Sequence, residues 1–433
     1  MPATSASDTH TAVHYTANFP LMPASNRTVH HISSAPLNGG AGRAGYRLHQ
    51  GLLSTQQNSH WIQARMPAPE TQALTNWLKP KRKKKLFNFR KKNDRRFFRR
   101  AFQGSKTCAT NPESWGNSEY FLSKELPSIY NFHWMGDFLD WPTTLPELTQ
   151  KCPIVWTLHD TNPTQGAWHY TPFEDEINEK RTKWEQHAYR VKETALREVD
   201  PRRLIFVGPS KWMVDQCKNS ALTNRFESIH IPYGLDTTVF SPIDTSTAKK
   251  ALGINPDQKV IGFIADSIAD PRKGIHLLNQ AIQQIKSATP LLLTVGNHAD
   301  TLPSAIHQIN LGTIKEDRLL RMFYSACDLF ICPSQQDNLP NTVLESMACQ
   351  TPVIAFDVGG LSDMVRPGIS GYLLPEQDAH ELSMAITHAL SAPDELQRLG
   401  AGARALVTSE FDQQLQATRY AELYQSMLNS PMD

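Results

Sequence analysis

The segment DLFICPSQQDNLPNTVLESMACQTPVIAF, residues 328–356, contains a strand, a helix and a second strand in one continuous stretch. Its two ends, DLFIC and PVIAF, are short apolar runs of the kind that is covered on both faces of a parallel sheet. Between them Pro340 marks the start of a helix, because a proline in the first turn gives up no backbone hydrogen bond. Strands that alternate with crossover helices build parallel sheets. The segment therefore predicts an α/β fold.

The same alternation of strand and helix patterns occurs in two runs along the chain. The later run also contains VIGFIAD and PLLLTVG, and the earlier run contains VHHISS, CPIVWTLHD and RLIFVGPS. The stretch IPYGLDTTVFSP, Ile231–Pro242, separates the runs, and a chain of 433 residues exceeds an ordinary single core. We therefore predict two Rossmann-like, doubly wound domains that face a cleft. Their expected bounds are 29–233 and 234–410, with a flexible extension over 1–28, a basic insertion over 63–125, and a C-terminal helix over 411–433 that packs back toward the first domain.

The composition is that of a globular protein, with 40% apolar and 20% charged residues. No stretch approaches the roughly 18 consecutive apolar residues of a membrane span, so we expect a soluble protein. The first 28 residues lack the charged start and apolar centre of a signal peptide. The six cysteines form no CxxC pair, which predicts a reduced, cytoplasmic protein without a zinc site.

The positive charge of the chain is concentrated in one segment, Lys79–Arg100. It holds thirteen Lys or Arg against the single Asp94, and the rest of the chain has 31 basic and 41 acidic residues. An acidic remainder argues against a general nucleic-acid-binding protein. The basic segment is therefore expected to have a partner of its own.

The loop and helix that follow DLFIC have the features of an anion site. The free amides at the start of the helix, from Asn341 onward, favour an anion such as a diphosphate. Asp337 and Glu345 bracket that position and suit hydroxyl groups on either side of it. Taken alone, such a pair is more often a helix-entry aspartate and an exposed helical glutamate. Ligands of doubly wound sheets bind beyond the carboxyl ends of the strands, which places the expected site in the cleft.

Residues 333–360 resemble the donor-binding signature of glycosyltransferase family 4, the group 1 glycosyltransferases with the GT-B fold. Asp337 and Glu345 match its pattern of an acid, seven residues and a second acid. IADPRKGIHLL, Ile268–Leu278, is similar to the family's phosphate-binding turn and contributes Arg272 and Lys273. The resemblance covers about Val29–Leu53 and Ile129 to the C-terminus, and it is nearest to members that build exopolysaccharides such as colanic acid.

Two segments of the first run also resemble the family. NGGAGRAGYRLHQGL, Asn38–Leu52, is similar to its first glycine loop, with Gly39 and Gly40. WTLHDTNPTQGAWHY is similar to the segment that carries the family's active-site histidine, here His159. The resemblance thus assigns the first domain to the acceptor and the second to the nucleotide sugar. The full set of expected donor-binding residues is Gly39, Gly40, Arg272, Lys273, Asn338, Leu339, Asn341, Thr342 and Glu345.

The resemblance implies a retaining transferase that moves a hexose or deoxyhexose from a UDP- or GDP-linked donor to a glycan, in many members a lipid-linked one. It implies neither a metal nor a cofactor, since the nucleotide sugar is a substrate. The expected catalytic residues are His159, Lys273, Asp337 and Glu345. Lys273 meets the diphosphate, Glu345 the ribose hydroxyls, and Asp337 and His159 the donor sugar.

Some positions depart from the family pattern or allow a second interpretation. Asp337 is shorter than the usual Glu, and Ser267 stands where many members have a second basic phosphate ligand, so Arg272 is expected to supply that charge. His133 and His169 fit buried structural histidines as well as site residues, and Trp134 and Trp141 fit acceptor stacking as well as core packing. Competing functions are another GT-B enzyme, such as an epimerase or a phosphorylase, and a non-catalytic nucleotide-sugar-binding protein.

The basic segment interleaves Phe87, Phe89, Phe97 and Phe98 with its charges. Aromatic rings at the headgroup level and cations on lipid phosphates are typical of segments that dock on anionic membranes. We therefore expect this protein at the inner face of the membrane, beside a lipid-linked acceptor. A solvated loop and an RNA-binding segment are the alternatives.

Overall fold

The protein, described here by a computed structural model, contains two six-stranded sheets in which every neighbouring pair of strands is parallel. The residues that the structure describes are 28–63, 95–113, 128–268, 270–286, 290–297 and 307–429. The first sheet consists of β1 (Thr28–Ser33), β2 (Asn58–Gln63), β3 (Ile129–Phe132), β4 (Ile154–Thr157), β5 (Leu204–Gly208) and β6 (Ser228–His230). The second consists of β7 (Val260–Ser267), β8 (Leu291–Asn297), β9 (Gln308–Asn310), β10 (Leu329–Cys332), β11 (Val353–Phe356) and β12 (Gly371–Leu374).

Helices connect the strands and cover both sheets. In the first half they are α1 (Gly40–Ser54), α2 (residues 95–101), α3 (Trp141–Lys151), α4 (Glu179–Arg197) and α5 (Lys211–Asn219). In the second half they are α6 (Thr245–Ala251), α7 (Ile275–Gln284), α8 (Asp317–Ala326), α9 (Asn341–Ala348), α10 (Leu361–Met364), α11 (Ala379–Ser391), α12 (Pro393–Glu410) and α13 (Gln413–Asn429). The predicted α/β class with two doubly wound sheets is confirmed.

The strand order places one switch point in each sheet. The first sheet has the order β2-β1-β3-β4-β5-β6, and the second has the order β12-β11-β10-β7-β8-β9. In the second sheet the chain builds outward from β7 to β9, then returns to the other side of β7 with β10. A crevice forms at such a reversal, beyond the carboxyl ends of the two strands. The segments after β7 and β10 are the ones that carry the predicted phosphate turn and acid pair.

The core lies on both faces of each sheet, as the continuous apolar strands predict. All four residues of β10 and all four of β11 are buried, and helices from both sides pack on them. Burial of a large aliphatic or aromatic side chain contributes about 1.5–3 kcal/mol. The two sheets are thus rigid platforms for the loops at their carboxyl ends.

The last helix belongs to the core of the first half. Ala417, Tyr420 and Tyr424 of α13 are buried in one cluster with Val29 and Leu48. Two hydrogen bonds tie the same helix to the first sheet, from Asn131 Nδ2 to Tyr424 Oη at 2.6 Å and between Thr157 Oγ1 and Tyr420 Oη at 2.8 Å. The chain therefore crosses between the halves twice, once in each direction.

The two crossings run side by side. Leu235 donates its N–H to the carbonyl of Phe411 at 2.8 Å, and Gln413 donates its N–H back to the carbonyl of Leu235 at 3.0 Å. Thr237 Oγ1 adds a bond to Asp412 Oδ2 at 2.8 Å. The connection between the halves is therefore a pair of adjacent segments joined by an isolated β-bridge between Leu235 and Asp412.

The structure corrects two expectations about local structure. The predicted glycine loop is short, because α1 begins at Gly40; a Cβ at Gly42 would lie 2.1 Å from the carbonyl oxygen of Pro36, so that glycine serves close packing. Within the basic segment, Lys79–Asp94 lies outside the described residues, as do Phe87 and Phe89. Phe98 does not face a membrane: it is buried in a small cluster with Ala167 and Ala188, whereas Phe97 is 52% exposed.

Candidate active site

The turn after β7 packs directly on the loop after β10. Gly274 ends this turn with a φ of 72°, and a Cβ there would lie 1.8 Å from the carbonyl oxygen of Pro333. Glycine adopts this left-handed conformation without steric cost and leaves room for the close approach. As a result, the side chain of Lys273 reaches Asp337, with Nζ and Oδ2 2.6 Å apart. Two of the predicted catalytic residues are therefore in contact.

Asp337 is a buried, ionised carboxylate. Burial by itself favours the neutral form, but Lys273 and then Arg272 outweigh it and lower the pKa of Asp337 below its ordinary value. The loop is held from the other side by Gly359, whose φ is 57° and whose Cβ would lie 1.6 Å from the carbonyl oxygen of Asp337. A fixed negative charge beside a fixed positive one is thus built into the end of β10.

Arg272 is largely committed to contacts within the protein. It donates to the carbonyl of Gln336 at 3.0 Å and to Asp270 at 3.3 Å, and its guanidinium stacks on Tyr170 at 4.7 Å from the ring centre. Its distance to Asp337 is 3.9 Å. The predicted role of Arg272 as the second phosphate cation would require these contacts to be exchanged.

A cavity of about 250 Å³ lies where the two halves meet, at the start of α9. Asn341 and Thr342 line it from the second half, and Gly39 and Gly40 line it from the first. Asn341 Nδ2 donates to the carbonyl of Gly40 at 3.0 Å, so the starts of α9 and α1 touch. The cavity therefore brings together five of the predicted donor-binding residues: Gly39, Gly40, Asn341, Thr342 and Glu345.

Glu345 is buried at the wall of this cavity, with 2% of its surface exposed. The interpretation of Glu345 as an exposed helical residue is therefore wrong. Tyr324 donates its hydroxyl to Oε2 at 2.8 Å, and Arg47 Nη2 lies 2.8 Å from Oε1. Oε1 nevertheless accepts no aligned hydrogen bond from the described part of the chain. Its charge is balanced while its capacity as an acceptor remains open.

The cations that face Glu345 come from α1 and were not among the residues predicted from the sequence. Arg43 and Arg47 each lie 3.3 Å from Asp317, and Arg43 lies 3.8 Å from Glu345. These ion pairs join the first half to the second. The signal was present in the quoted glycine segment, because two arginines four residues apart lie on one face of a helix.

Asn338 and Leu339 do not line the cavity as the structure describes it. Asn338 bridges the two halves instead: Ser210 Oγ donates to its Oδ1 at 2.7 Å, and its Nδ2 donates to the carbonyl of Leu158 at 3.3 Å. Leu339 is buried in the core of the second half. The side chains of both residues therefore position the loop.

His159 belongs to a row of buried aromatic groups. Its Nε2 contacts His133 Nδ1 at 3.0 Å and its Nδ1 contacts the hydroxyl of Tyr233 at 2.6 Å; His133 in turn contacts His31 at 2.9 Å. Burial lowers the pKa of His159 to about 4, despite the opposing charge of Asp160. His159 is therefore neutral at neutral pH, and both of its ring nitrogens are engaged by the protein.

The other aromatic candidates are held by contacts within the first half. His169 is buried and contacts Asp160 at 2.6 Å and Thr110 at 2.9 Å, and His133 is buried in the row described above. Trp141 is buried in the core of the first half. Trp134 donates its ring N–H to Asp160 at 2.7 Å, which fixes its orientation.

No group of three or more His, Cys, Asp or Glu side chains in the described ranges is arranged to hold a metal ion. All six cysteines, each of which lies in those ranges, are free thiols. None of the described helices is long and apolar enough to span a membrane.

Sequence comparisons relate the second half to a known family. Residues 258–392 match the family described as "Glycosyl transferases group 1". A D-inositol 3-phosphate glycosyltransferase of Thermobispora bispora is 30% identical over 212 residues, which cover 45% of this chain and 49% of the relative. An alpha-maltose-1-phosphate synthase of Mycobacterium tuberculosis is 28% identical over 219 residues, 45% of this chain and 55% of the relative. The chain thus spans about half the length of the curated relatives it matches, and neither name refers to an exopolysaccharide.

Solved structures match the whole fold. Sucrose-phosphate synthase from Thermosynechococcus elongatus superposes with a TM-score of 0.66 at 20% identity, over 94% of this chain and 100% of that one. Anabaena HepE in complex with UDP superposes with a TM-score of 0.59 at 16% identity, over 92% and 100%. Identities this low establish the fold alone. The chain has the GT-B fold, and its residues 258–392 match the group 1 glycosyltransferases.

Proposed function

We propose that this protein is a retaining glycosyltransferase that transfers a hexose or deoxyhexose from a nucleoside diphosphate to a glycan acceptor. In the reaction, the bond between the anomeric carbon and the diphosphate oxygen breaks and its electron pair leaves with the diphosphate. The acceptor hydroxyl forms the new bond on the same face of the sugar, and its proton passes to the oxygen of the departing diphosphate. The enzyme's task is to stabilise charge on the leaving group and on an oxocarbenium-like sugar.

The observation that carries the proposal is the cavity with Glu345 at its wall. A buried carboxylate oxygen that accepts no aligned hydrogen bond is rare in a native protein and needs an explanation. Oε1 of Glu345 accepts no aligned hydrogen bond from the described residues, although Arg47 Nη2 lies 2.8 Å away and balances its charge. A ribose hydroxyl could donate the hydrogen bond that Oε1 of Glu345 lacks. Nucleotide binding at this position also agrees with the family match of residues 258–392.

The remaining groups suit the diphosphate and the sugar. Asn341 and Thr342, in the first turn of α9, line the cavity, and the start of a helix favours an anion. Lys273 does not line the cavity, and its Nζ contacts Asp337 at 2.6 Å; we assign it to the diphosphate, where charge develops as the group leaves. We assign Asp337, which Lys273 keeps ionised, to the donor sugar. The hydroxyl groups of the sugar would donate hydrogen bonds to its carboxylate. We assign His159 to the sugar from the opposite half, as a neutral imidazole that exchanges one of its protein hydrogen bonds for a substrate hydroxyl.

The acceptor is proposed to be a lipid-linked glycan in surface or exopolysaccharide synthesis, with the protein at the inner face of the membrane. The support is the basic segment Lys79–Arg100, in which the described residues Arg96, Phe97, Arg99 and Arg100 are exposed. A surface of this kind presents cations and one aromatic ring to anionic headgroups. The donor nucleotide is proposed to be UDP or GDP, and neither a metal nor a cofactor is included in the proposal.

The test begins with binding. Purified protein is screened by thermal shift against UDP, GDP and ADP, and the nucleotide that binds is then supplied as its glucose, galactose or mannose derivative. A ligand at 100 times its dissociation constant adds about 2.7 kcal/mol of stability, so binding is readily detected. We expect release of the nucleoside diphosphate that depends on the intact Glu345, with Glu345→Gln at least about 100-fold slower.

Other outcomes would replace the proposal. Binding without release of nucleoside diphosphate, with or without oligosaccharide acceptors, identifies a binding protein. Conversion of the donor to an epimer identifies an epimerase. Absorbance between 300 and 450 nm from a bound pyridoxal group would indicate a phosphorylase.

A further inference from the structure

The predicted phosphate turn supplies fewer cations than the chemistry of the proposed diphosphate site requires. A diphosphate leaves with two to three negative charges, and electrostatic stabilisation of such a group is normally supplied by more than one preorganised donor. Ser267, at the end of β7, contributes a hydroxyl and no charge. Arg272 is turned toward Gln336, Asp270 and Tyr170. Lys273 is then left as the cation of the phosphate turn.

The first half places a cation at the same cavity. Arg43 lines the cavity together with Gly39 and Gly40, which precede it at the start of α1. Asn341 Nδ2 bonds the carbonyl of Gly40 at 3.0 Å, so Arg43 lies about one helical turn from the point where α1 and α9 meet. Its Nη1 is 3.8 Å from Oε1 of Glu345, which is one turn into α9. The guanidinium is therefore at the wall between the α9 amides and the proposed ribose position.

We propose that Arg43 binds the diphosphate of the donor and supplies the second cation of the site from the opposite half of the protein. This inference rests on the proposed function, because it assigns a ligand within the same cavity. A guanidinium presents two parallel donors that match phosphate oxygens in a bidentate arrangement. Because Arg43 belongs to the first half, its contact also couples diphosphate binding to the approach of the two halves.

Asp317 is the group that competes with the diphosphate for Arg43. Its Oδ1 lies 3.3 Å from Arg43 Nη1 and its Oδ2 lies 3.3 Å from Arg47 Nη2. Asp317 has 37% of its side chain exposed and Arg43 has 19%. Asp317 is the more exposed partner, so water can solvate its carboxylate when Arg43 leaves it, while Arg47 stays paired with Glu345.

Lys315 offers the matched control. It lines the same cavity on the loop before α8, beside Thr313 and Ile314, and it is exposed. Its replacement removes the same unit of charge from the cavity wall. A long, solvated ammonium acts on the diphosphate through a screened field, whereas Arg43 is proposed to act by direct contact.

The experiment compares nucleoside diphosphate with nucleoside monophosphate. Titration calorimetry measures the affinities of UDP and UMP, or of GDP and GMP if guanine is the base that binds, for wild-type protein and for Arg43→Gln, Arg43→Lys, Asp317→Asn and Lys315→Gln. We expect Arg43→Gln to weaken the diphosphate by about 10- to 100-fold and the monophosphate by much less. Arg43→Lys is expected to be intermediate. Asp317→Asn is expected to strengthen diphosphate binding, because Arg43 loses its competitor.

Each result bears on the inference. Equal losses for diphosphate and monophosphate in Arg43→Gln, or equal diphosphate losses in Arg43→Gln and Lys315→Gln, would overturn a direct contact. Weaker diphosphate binding by Asp317→Asn would mean that the Arg43–Asp317 pair only holds the halves together. If wild-type protein binds no nucleotide at all, the proposed function fails before Arg43 is tested. Thermal unfolding and circular dichroism of each variant confirm that the protein is folded.

Discussion

The ionisation of Asp337 depends on the position of Lys273. Without Lys273, the buried carboxylate of Asp337 would lose its contact at 2.6 Å and retain only the more distant Arg272 at 3.9 Å. Burial would then raise its pKa toward the neutral form. In the proposed function, one lysine therefore acts on the leaving diphosphate and also lowers the pKa of the acid that is assigned to the sugar.

This dependence gives a prediction for Lys273→Met. Transfer is expected to fall by about 100- to 1,000-fold, as for the loss of one preorganised donor. In addition, the acid limb of kcat/KM is expected to move to higher pH, because the pKa of Asp337 is no longer lowered by Lys273. Lys273→Arg, which keeps the charge, should keep the limb near its original pH. If the acid limb of kcat/KM does not move in Lys273→Met, the ionisation of Asp337 does not control the reaction.

The row of buried histidines predicts how stability depends on pH. The folded-state pKa of His159 is about 4, and those of His31 and His133 are also well below the ordinary value because of burial. In the unfolded chain these groups take up protons near pH 6.5. The unfolded state therefore binds more protons below that pH, and the free energy of unfolding should decrease as pH falls from about 6.5 to about 5, where ordinary carboxyl groups remain ionised.

Thermal unfolding of His133→Gln at a series of pH values checks this expectation. The variant should lose less stability between pH 6.5 and 5 than the wild type does, although its stability at pH 7.5 is lower. His380→Gln, at an exposed histidine in the first turn of α11, serves as the control and should keep the wild-type pH dependence. If His133→Gln and His380→Gln behave alike, the buried histidines are not the cause.

At the level of elements, the glycines decide how closely the loops at the strand ends approach. Gly359 has a left-handed φ of 57° and touches the backbone of Asp337, whereas Gly253 has a φ of 70° and no atom within 4 Å of its virtual Cβ. Alanine at Gly253 should therefore cost only the left-handed conformation, about 1–2 kcal/mol.

Gly359→Ala should cost more stability than Gly253→Ala and should also slow transfer, because the new Cβ must displace the loop that carries Asp337. Urea unfolding gives the first quantity and a transfer assay the second. Equal losses of stability in the two variants, with full activity in both, would show that the loop tolerates the displacement.

The elements were predictable where local sequence determines them. The apolar strands β10 and β11 and the start of α9 after Pro340 follow from short-range patterns, and the structure places them as expected. Contacts between the halves were not predictable. The pairing of Glu345 with Arg47 joins residues almost 300 positions apart, and Asn338 reaches Ser210 across the interface. The row of buried aromatic groups likewise brings together four segments of the chain, which carry His31, His133, His159 and Tyr233.

Other misses came from residues whose local pattern is ambiguous. Three glycines within six residues indicated a loop, but Gly40, Gly42 and Gly45 lie in α1, where Gly42 and Gly45 pack against Pro36 and His133. Phe98 was grouped with its basic neighbours, yet it packs against Trp184. Packing partners distant in sequence determined both outcomes.

At the scale of the whole molecule, the charges of the cleft predict independence from divalent metal ions. Lys273, Arg43 and the α9 amides are proposed to neutralise the diphosphate, which is the task that a magnesium or manganese ion would otherwise perform. Transfer should therefore keep most of its rate in EDTA. Loss of activity that manganese or magnesium restores would contradict this prediction, and a metal-dependent glycosyltransferase assayed in parallel verifies the chelation.

The basic segment predicts binding to anionic membranes. Intact protein should sediment with phosphatidylglycerol liposomes at low salt and less at high salt, since each cation near the surface contributes roughly 1 kcal/mol before screening. A variant in which four basic residues of the segment, Arg95, Arg96, Arg99 and Arg100, are replaced by Gln should bind the liposomes more weakly. A control variant in which four exposed basic residues of the second half, Lys250, Lys286, Arg318 and Arg398, are replaced by Gln should bind almost as well as the wild type. Equal effects of the two sets would remove the segment as the docking site.

The return of α13 to the first half has a consequence for synthesis on the ribosome. The cluster that contains Val29 and Leu48 also requires Ala417, Tyr420 and Tyr424, so the domain that is translated first is completed last. At about 5–20 residues per second, the ribosome needs roughly 10 to 40 seconds to proceed from the first crossing to α13. During that interval the nascent first sheet exposes the apolar face that α13 will cover, while the second sheet can close on its own.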